Sequence, residues 1–298
     1  MKRYKFIIKP PVKKDYQKEI LKFKKKFDTK EDFTEKTGQK NAKNLAKRAT
    51  EEGFNKIVVV GGDGLLHEVI NGVMEAKKIS EDFALGIIPT GAGNNFAKEI
   101  GIPMNLKKAF ETIIKGREIF VDLGRVNEKY FINCFSLGFD AKINDLANKL
   151  KEKYSFLPRD LSYLFAALKE IILKIPNFDL KIRGREVSFQ GKVVLIAITN
   201  SQSYGAIFKI NPGALFSDGK FNLCLIEPVG KLRALKALSL ATKGNHIKLP
   251  EVKTFLSAFP LTIISKEPVA YEMDGEVFEP KNEFKVEIFP KKIKFLVP

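Results

Sequence analysis

Apolar runs alternate with segments of helical periodicity over residues 4–101. The runs that predict strands are YKFIIKP, KIVVV and FALGIIP. The segments whose apolar residues recur at helical spacing are DYQKEILKFKKKF, NAKNLAKRATEEG, LLHEVINGVMEA and NNFAKEIG. Strands that alternate with helices in this way pair in parallel, so this half of the chain predicts a doubly wound α/β domain.

The pattern changes after Asp122. Most of the remaining chain consists of strand-like runs, namely KYFINCFSLGFD, FDLKIRG, REVSFQGKVVLIAITNS, GKFNLCLIEP, FPLTIISKEPVAYEMDGEVF and FKVEIFPKKIKFLVP. Two segments of helical periodicity interrupt them, RDLSYLFAALKEIILKI and KLRALKALSLATKG. The sequence therefore predicts an N-terminal α/β domain over 1–123 and a C-terminal β-rich, sandwich-like domain over 124–288. A cleft between two domains is the default place for a ligand.

The charge balance changes the list of expected partners. The chain holds 52 Lys and Arg against 35 Asp and Glu, a formal net charge of +17. Such a surface suits nucleic acid, an anionic membrane or a polyphosphate substrate, and solvated lysines alone would also produce it. No RNA- or DNA-recognition motif is present in the sequence, so we expect no nucleic acid, and a membrane surface is the favoured specific partner.

The apolar runs are too short for a membrane-spanning helix, which needs about 18 residues. The N-terminus also lacks the apolar core of a signal peptide. Cys134 and Cys224 each lie in an apolar run, which favours buried thiols over a disulfide or a metal pair. We expect a cytoplasmic protein that is peripheral at the inner membrane face.

The stretch IVVVGGDGLLHEVING runs from a buried strand into glycines and a carboxylate. Gly61, Gly62 and Gly64 fall in the turn before a helix, where glycine lets backbone N–H groups approach an anion and the helix dipole favours phosphate. No Gly-Lys-Ser/Thr follows, which excludes a Walker loop. Asp63 would repel phosphate unless it binds Mg²⁺ or a proton. The alternative interpretation is an ordinary tight turn.

The next strand repeats this arrangement in GIIPTGAGNNFAKEIG. Gly91 and Gly93 precede another helix, whose cap we expect at Asn94 or Asn95. GAGNNF matches the dinucleotide fingerprint G-x-G-x-x-G only in part. Two neighbouring glycine turns could instead hold the two ends of one nucleotide.

VVVGGDGLLHEVINGV followed by GIIPTGAGNNFAKEIGIP resembles the catalytic domain of diacylglycerol kinases, a superfamily that includes sphingosine kinases and NAD kinases. The resemblance continues through VDLGRVNEKYFINCFSLGFDA, NPGALFSDGKFNLCLI, ATKGNHIKL and YEMDGE, in order along nearly the whole chain. It implies an ATP- and Mg²⁺-dependent lipid kinase that phosphorylates a lipid hydroxyl, with diacylglycerol as the expected substrate. It also implies that residues from about 289 to 298 return to the first domain. A homodimer is left open.

The resemblance assigns site residues by position. It implies an ATP phosphate loop made of Gly61, Gly62, Asp63, Gly64, Leu65, Leu66 and His67. It implies further ATP contacts at Thr34 (or at Thr37 instead), Gly91, Ala92 and Asn94. It implies a structural Mg²⁺ site at Leu215, Asp218 and Lys220, made of one carboxylate and two backbone carbonyls. It also implies cleft positions at Asp122, Glu68 and Asn95.

The catalytic carboxylates are expected to be Glu276, Asp63 and Asp274. Glu276 matches the family's proton acceptor. If the strand that contains YEMDGE stayed regular, Asp274 and Glu276 would share one face and could hold Mg²⁺ and the attacking hydroxyl together with Asp63. The alternatives are hairpin turns at DGE and at SDGKF.

The chain departs from the family pattern at three places. KPPVKK replaces the usual Asn-Pro-x-Ser-Gly, His67 replaces Asn, and Ala92 replaces a threonine, which removes a hydroxyl contact to ATP. Two rival hypotheses follow, an NAD kinase-like soluble kinase and a catalytically weak lipid-binding or regulatory protein.

Overall fold

The strand and helix assignments below come from a computed structural model of the chain. It describes residues 3–12, 14–35, 39–154, 156–203 and 207–298. The chain divides into unit 1, which comprises Met1–Val121 and Lys291–Pro298, and unit 2, which comprises Asp122–Pro290. Within the described ranges, the helices are all too short or too polar to cross a bilayer.

Unit 1 is built on a parallel sheet. Its strands are β1 (Arg3–Ile8), β2 (Asp28–Phe33), β3 (Lys56–Gly61), β4 (Ala84–Pro89) and the end of β14 (Glu276–Val297). They lie in the order β2-β1-β3-β4-β14. The register pairs Val60 with both Ile8 and Ile88. The carboxyl ends of β1, β3 and β4 therefore come level at one edge of the sheet, which is where parallel sheets bind ligands.

Helices cover both faces of this sheet. They are α1 (Lys14–Lys24), α2 (Gln39–Glu51), α3 (Asp63–Met74), α4 (Asn95–Glu99) and α5 (Leu106–Lys115). Val58 and Val60 pack in one core with Phe23 of α1 and Phe110 of α5. Alternate strand residues point to the opposite face, and α2 and α3 contact each other and β3. A Cβ on Gly72 would lie 2.1 Å from the Lys43 carbonyl oxygen, so glycine is required where these two helices meet.

Unit 2 is mainly antiparallel. Its further strands are β5 (Arg117–Val126, which begins in unit 1), β6 (Lys129–Phe131), β7 (Cys134–Gly138), β8 (Phe178–Gly184), β9 (Ser188–Val193), β10 (Leu195–Thr199), β11 (Phe221–Ile226), β12 (Val252–Ser257) and β13 (Leu261–Met273). The order β12-β11-β10-β7-β13-β14 forms the main path, and β8 and β9 extend from β13. Phe131, Phe135, Phe221 and Phe284 are completely buried in its core.

Helices of unit 2 pack on this sheet. They are α6 (Phe139–Lys153), α7 (Arg159–Leu173), α8 (Lys231–Ala241) and a short 3₁₀ helix (Asn245–Lys248). Tyr163 and Ile171 of α7 share a core with Ala197 of β10 and Cys224 of β11. Cys134 and Cys224 are buried free thiols, as predicted.

The fold class expected from the sequence, doubly wound α/β followed by a β-rich domain, is confirmed. Several elements were not predicted, among them the strands β5 and β12. The strand-like assignment of KYFINCFSLGFD was wrong at its end, because Gly138 turns at φ +95° and α6 begins at Phe139. The β2 sequence DTKEDF is polar and offers no apolar run, and α5 was also missed.

Candidate functional site

The turn after β3 forms the N-terminus of α3. All six residues of β3 are buried, and the chain then passes through Gly62 in an extended conformation. The Leu66 N–H donates to the Gly62 carbonyl at 3.1 Å and closes the first helical turn. Within the described ranges no side chain caps α3 at Gly62. The first N–H groups and the positive end of the helix dipole are therefore suited to an anion.

Gly62 and Gly91 come into close backbone contact. A Cβ on Gly91 would lie 2.4 Å from the Gly62 Cα, and a Cβ on Gly62 would lie 3.0 Å from the Gly91 Cα. The Thr90 N–H also donates to the Gly61 carbonyl at 3.0 Å. The sequence explained these glycines by approach to a phosphate, with an ordinary tight turn as the alternative. The structure adds a second reason, because the two turns pack against each other with no room for a side chain.

Asp63 joins the start of α3 to the start of α4. Its carboxylate accepts the Asn95 N–H at 2.9 Å and the Phe96 N–H at 3.2 Å. Asn94 occupies the N-cap position of α4, as expected, but its side chain makes no cap bond there with the described residues. The Asp63 carboxylate accepts the first N–H groups of the helix instead. Each carboxylate oxygen has a second lone pair, so these bonds are compatible with a further contact to a cation.

Asn94 closes the second glycine turn. It adopts the left-handed conformation at φ +54°. Its side-chain nitrogen donates to the Gly91 carbonyl at 2.7 Å, and its side-chain oxygen accepts the Gly91 N–H at 3.1 Å. The structure therefore brings residues from two separate motifs into one cluster. Its members are Gly62, Asp63, Gly91, Asn94 and Asn95.

The other residues of the expected ATP loop differ in what they can offer. The side chains of Leu65, Leu66 and His67 are buried, so the two leucines could meet a phosphate only through their backbone. The His67 ring lies against Asn71, one turn further along α3. Thr34 is buried and its hydroxyl donates to the Ile8 carbonyl at 3.2 Å.

Three more assigned positions lie in or just after these turns. Gly64 and Glu68 are half-buried on α3, and Ala92 is exposed beside Gly93 in the second turn. Thr37, the alternative to Thr34, lies outside the described residues.

The loop before β11 is organised by Asp122. Asp122 is completely buried, its carboxylate accepts the Gly219 N–H at 2.6 Å, and its own N–H donates to the Phe216 carbonyl at 2.8 Å. Asp218 is exposed and accepts the Lys220 N–H at 3.1 Å. The sequence treated Asp122 and the candidate Mg²⁺ loop, which begins at the exposed Leu215, as separate features. The structure brings them together.

The expectation that Asp274 and Glu276 share a strand face is wrong. Asp274 and Gly275 form the two-residue turn between β13 and β14, with φ of +51° and +93°, and Met273 pairs with Glu276 across it. This is the hairpin alternative, and positive φ at both turn residues suits Asp-Gly. Glu276 is half-buried at the start of β14.

Asp274 anchors the segment before β7. The carboxylate is buried and accepts the backbone N–H groups of Ile132, Asn133 and Cys134 at 2.8–3.2 Å. These bonds give Asp274 a structural part in unit 2.

Glu272 is the acidic residue that the sequence reading missed. It is 1% exposed and accepts the Gly275 N–H at 2.7 Å and the Asn144 amide at 3.3 Å. The Ser136 hydroxyl oxygen lies 3.0 Å from its carboxyl group. The Cys134 thiol lies 3.2 Å away. A carboxylate within the apolar strand PVAYEM was the available signal, because buried acids are rare.

Burial, and then the neighbouring Asp140 carboxylate, raise the pKa of Glu272 to about 8. The Ser136 hydroxyl lies between these two acids, since it also bonds to Asp140. Ser136 has only one hydrogen and can donate to only one of them. A proton on Glu272 gives each of the three side chains a hydrogen-bond partner, because Glu272 then donates to Ser136 and Ser136 donates to Asp140.

A cavity of about 100 Å³ lies within unit 2, between its helices and the sheet. Apolar side chains such as Ile143, Ala167 and Leu238 line most of it, and Asp140 and His246 are among its polar members. The His246 Nε2 lies 3.1 Å from the Ile210 carbonyl oxygen. Burial lowers the pKa of His246 and favours the neutral ring.

Family models match both units. Residues 6–126 match the diacylglycerol kinase catalytic domain. Residues 133–297 match the YegS C-terminal NAD kinase beta sandwich-like domain.

Curated relatives match over most of the chain. A diacylglycerol kinase of Staphylococcus carnosus is 30% identical over 250 residues, which cover 84% of this chain and 78% of that protein. A diacylglycerol kinase of Staphylococcus epidermidis is 29% identical over 281 residues, which cover 92% and 86%.

Two solved structures share the fold. A diacylglycerol kinase structure from Bacillus anthracis str. Sterne superimposes with a TM-score of 0.80 at 20% identity and covers 100% of this chain and 97% of that one. An NAD kinase from Archaeoglobus fulgidus, solved in complex with ATP, gives a TM-score of 0.55 at 11% identity, with coverage of 98% and 93%.

Proposed function

Because the chain belongs to the diacylglycerol kinase family of lipid kinases, we propose that it transfers the γ-phosphoryl group of ATP to the free hydroxyl of diacylglycerol and produces phosphatidic acid. The observation that carries the proposal is the contact of Gly62 with Gly91 beside the N-terminus of α3. This arrangement exposes backbone donors and a helix dipole where no side chain can intrude, which suits a polyphosphate.

ATP binding would use backbone groups of the two turns. Gly61 to Gly64 lie at the end of β3 and the start of α3, and Gly91 to Asn94 precede α4. Ala92 lacks the hydroxyl of a threonine, so it can contribute only through its backbone. Asp63 is the candidate carboxylate beside the phosphates, and its two bonds to α4 hold it in place.

The cavity in unit 2 supports a lipid as the acceptor. Its lining is almost entirely apolar, and an acyl chain gains about 0.8 kcal/mol for each methylene group that it buries. A dinucleotide would need many polar partners in the same place. This contrast favours a lipid over NAD.

The transfer forms one bond between the lipid hydroxyl oxygen and the γ-phosphorus, and breaks the bond from that phosphorus to the oxygen of the departing ADP. We assign Glu276 as the group that takes the hydroxyl proton. General bases in such reactions contribute roughly 10²–10⁴-fold to the rate. Phosphoryl transfer otherwise depends on positioning and on neutralising charge.

Mg²⁺ fits two sets of residues. Mg²⁺ bound with the triphosphate would offset its charge, with Asp63 as the candidate protein carboxylate. A structural ion would be held by Asp218 and the carbonyls of Leu215 and Lys220, in a loop that Asp122 fixes through Gly219. Hard oxygen donors of this kind suit Mg²⁺. Within the described ranges no group of three or more His, Cys, Asp or Glu is placed to hold a metal, which agrees with a site that uses one carboxylate.

The experiment is a phosphorylation assay with labelled ATP and Mg²⁺, run in parallel on diacylglycerol in mixed micelles and on NAD. We expect labelled phosphatidic acid that disappears when Mg²⁺ is chelated. Labelled NADP instead would support the second candidate, an NAD kinase, which the match of residues 133–297 and the shared fold favour. No product from either pool would contradict both kinase assignments and support a regulatory lipid-binding role.

A further inference from the structure

The solvent side of α7 carries an apolar stripe. Leu161, Phe165 and Ile172 are 42%, 53% and 64% exposed, and Leu168 between them is half-buried. Their spacing of four, three and four residues places all four on one side of the helix. We call Leu161, Phe165, Leu168 and Ile172 the α7 outer face.

The opposite side of α7 is already in the core. Tyr163, Ala166, Ala167 and Ile171 are buried against the sheet of unit 2. The outer face is therefore not needed to hold the helix on the protein. A helix that is apolar on both sides normally has a second apolar neighbour.

Other exposed apolar residues extend this surface at both ends of α7. Phe156, three residues before the helix begins, is 82% exposed. Leu232 at the start of α8 is 85% exposed. Lys231, next to it, donates a hydrogen bond to the Ile172 carbonyl, so the start of α8 lies beside the end of α7. Apolar patches of this kind mark interaction sites.

The charges around this surface indicate the partner. Residues 149–174 contain six basic and three acidic residues, and Lys153, Lys169, Lys174 and Lys231 are exposed. A basic rim around an apolar face fits an anionic lipid surface, where the rim meets headgroups and the apolar side chains enter the acyl boundary. Two copies of the chain that met through this face about a two-fold axis would bring their lysine rims together, which is unfavourable.

We propose that the α7 outer face is the surface by which this protein docks on an anionic membrane, with Phe165 and Ile172 inserted among the lipids. The proposal depends on the lipid kinase function only for the choice of a membrane as the partner, because a lipid substrate lies in a membrane. It adds the specific surface and the combined apolar and electrostatic mode of binding.

The test uses the absence of tryptophan from the sequence. Phe165→Trp places a single fluorescent reporter on the outer face, and Leu21→Trp places one on an exposed position of α1, where the leucine is 59% exposed. Each variant is mixed with vesicles of phosphatidylcholine alone or with added phosphatidylglycerol, without ATP or diacylglycerol. We expect a blue-shifted emission, and quenching by lipids brominated in their acyl chains, for Phe165→Trp with phosphatidylglycerol vesicles only. Leu21→Trp should show neither.

A second pair of variants measures the contribution to binding. The double variant Phe165→Ser with Ile172→Ser should lower vesicle partitioning about tenfold or more, because two large apolar side chains no longer leave water. The control Leu21→Ser should partition as the wild type does. All these positions are exposed, so their melting temperatures should stay near the wild-type value.

Three results would overturn the proposal. The first is an unchanged Phe165→Trp spectrum with phosphatidylglycerol vesicles at low salt. The second is a blue shift that grows with protein concentration without vesicles, which would assign the face to a second copy of the chain. The third is wild-type partitioning of the double serine variant. The kinase assay in mixed micelles is independent of these results, so vesicle docking without kinase activity contradicts only the proposed reaction, and activity without docking contradicts only the docking surface.

Discussion

The carboxylate of Asp63 accepts a hydrogen bond from the backbone N–H of Asn95 at 2.9 Å, across 32 positions of sequence. With the second bond to Phe96 it ties the first glycine turn to the helix that follows the second one. A negative charge at a helix N-terminus is favourable both as a cap and against the helix dipole. The residue proposed to lie beside the phosphates is therefore also the residue that holds the two turns in register.

Substitutions can separate the structural role of Asp63 from its proposed role beside the phosphates. Asp63→Ala removes both acceptors and should lower the free energy of unfolding by about 1–2 kcal/mol, the usual cost of losing a cap. Asp63→Asn keeps one acceptor and should lose less stability, yet it removes the charge and should lose most of the kinase activity. Thermal melts and the mixed-micelle assay measure both effects. Wild-type activity in a stable Asp63→Asn variant would leave Asp63 with its structural part alone.

Gly91→Ala tests the contact between the turns. The added methyl group would lie 2.4 Å from the Gly62 Cα, so one backbone must move. We expect a loss of about 1–3 kcal/mol of stability, as in overpacked cores, and a raised KM for ATP. Gly213→Ala is the matched control, because a Cβ there meets nothing within 4 Å. Equal melting temperatures for the two variants would contradict the packing argument.

The sequence predicted those features that depend on local pattern. The buried run before Gly61 and the apolar spacing of Leu66 and Ile70 were sufficient to place a strand, a turn and a helix. The partners of Asp63 lie on another turn, and the N–H groups that Asp274 accepts are about 140 positions away in sequence. Side chains such as these are fixed by tertiary contacts, which no periodicity reports.

At the Asp274 hairpin, by contrast, the local sequence was a better guide to the backbone than the expected catalytic arrangement. Asp-Gly between apolar strands is a strong local signal for a two-residue turn, and it was present as the alternative. The family match assigned Glu276 a catalytic role, and the shared face of Asp274 and Glu276 was expected only if the strand stayed regular. The local turn chemistry proved correct for the backbone, and the part of Glu276 in catalysis remains a prediction.

Asp218→Ala should abolish stabilisation by Mg²⁺. An ion that binds only the folded state raises stability by mass action, so the wild-type melting temperature should rise with Mg²⁺ concentration. Asp218 supplies the one carboxylate of the proposed structural site, and its loss should remove the rise. Asp179→Ala, at an exposed carboxylate of β8, is the control and should respond as the wild type does. A retained response in Asp218→Ala would place the ion elsewhere.

Glu272 should make stability fall as pH rises. Its pKa is raised to about 8 in the folded protein, against about 4.3 in an unfolded chain. Between these values the folded state binds more protons than the unfolded state, so the free energy of unfolding decreases with pH through this window. Glu272→Gln stays neutral, so its stability should fall less than that of the wild type between about pH 5 and pH 8, the window that the shifted pKa sets. Glu279→Gln, at an exposed site on β14, should follow the wild-type curve.

Glu276→Gln distinguishes the proposed base from the other acids of the hairpin. Glutamine keeps the size of the side chain and cannot accept the hydroxyl proton, so kcat should fall by roughly 10²-fold or more. The KM for ATP should change little, because the proposed ATP contacts belong to the glycine turns. Glu276 is half-buried, and the melting temperature should stay close to that of the wild type. Glu279→Gln again provides the matched control and should keep full activity. If Glu276→Gln turned over normally while a folded Asp63→Asn protein was inactive, Asp63 would be the better candidate for the base and Glu276 would be a positioning residue.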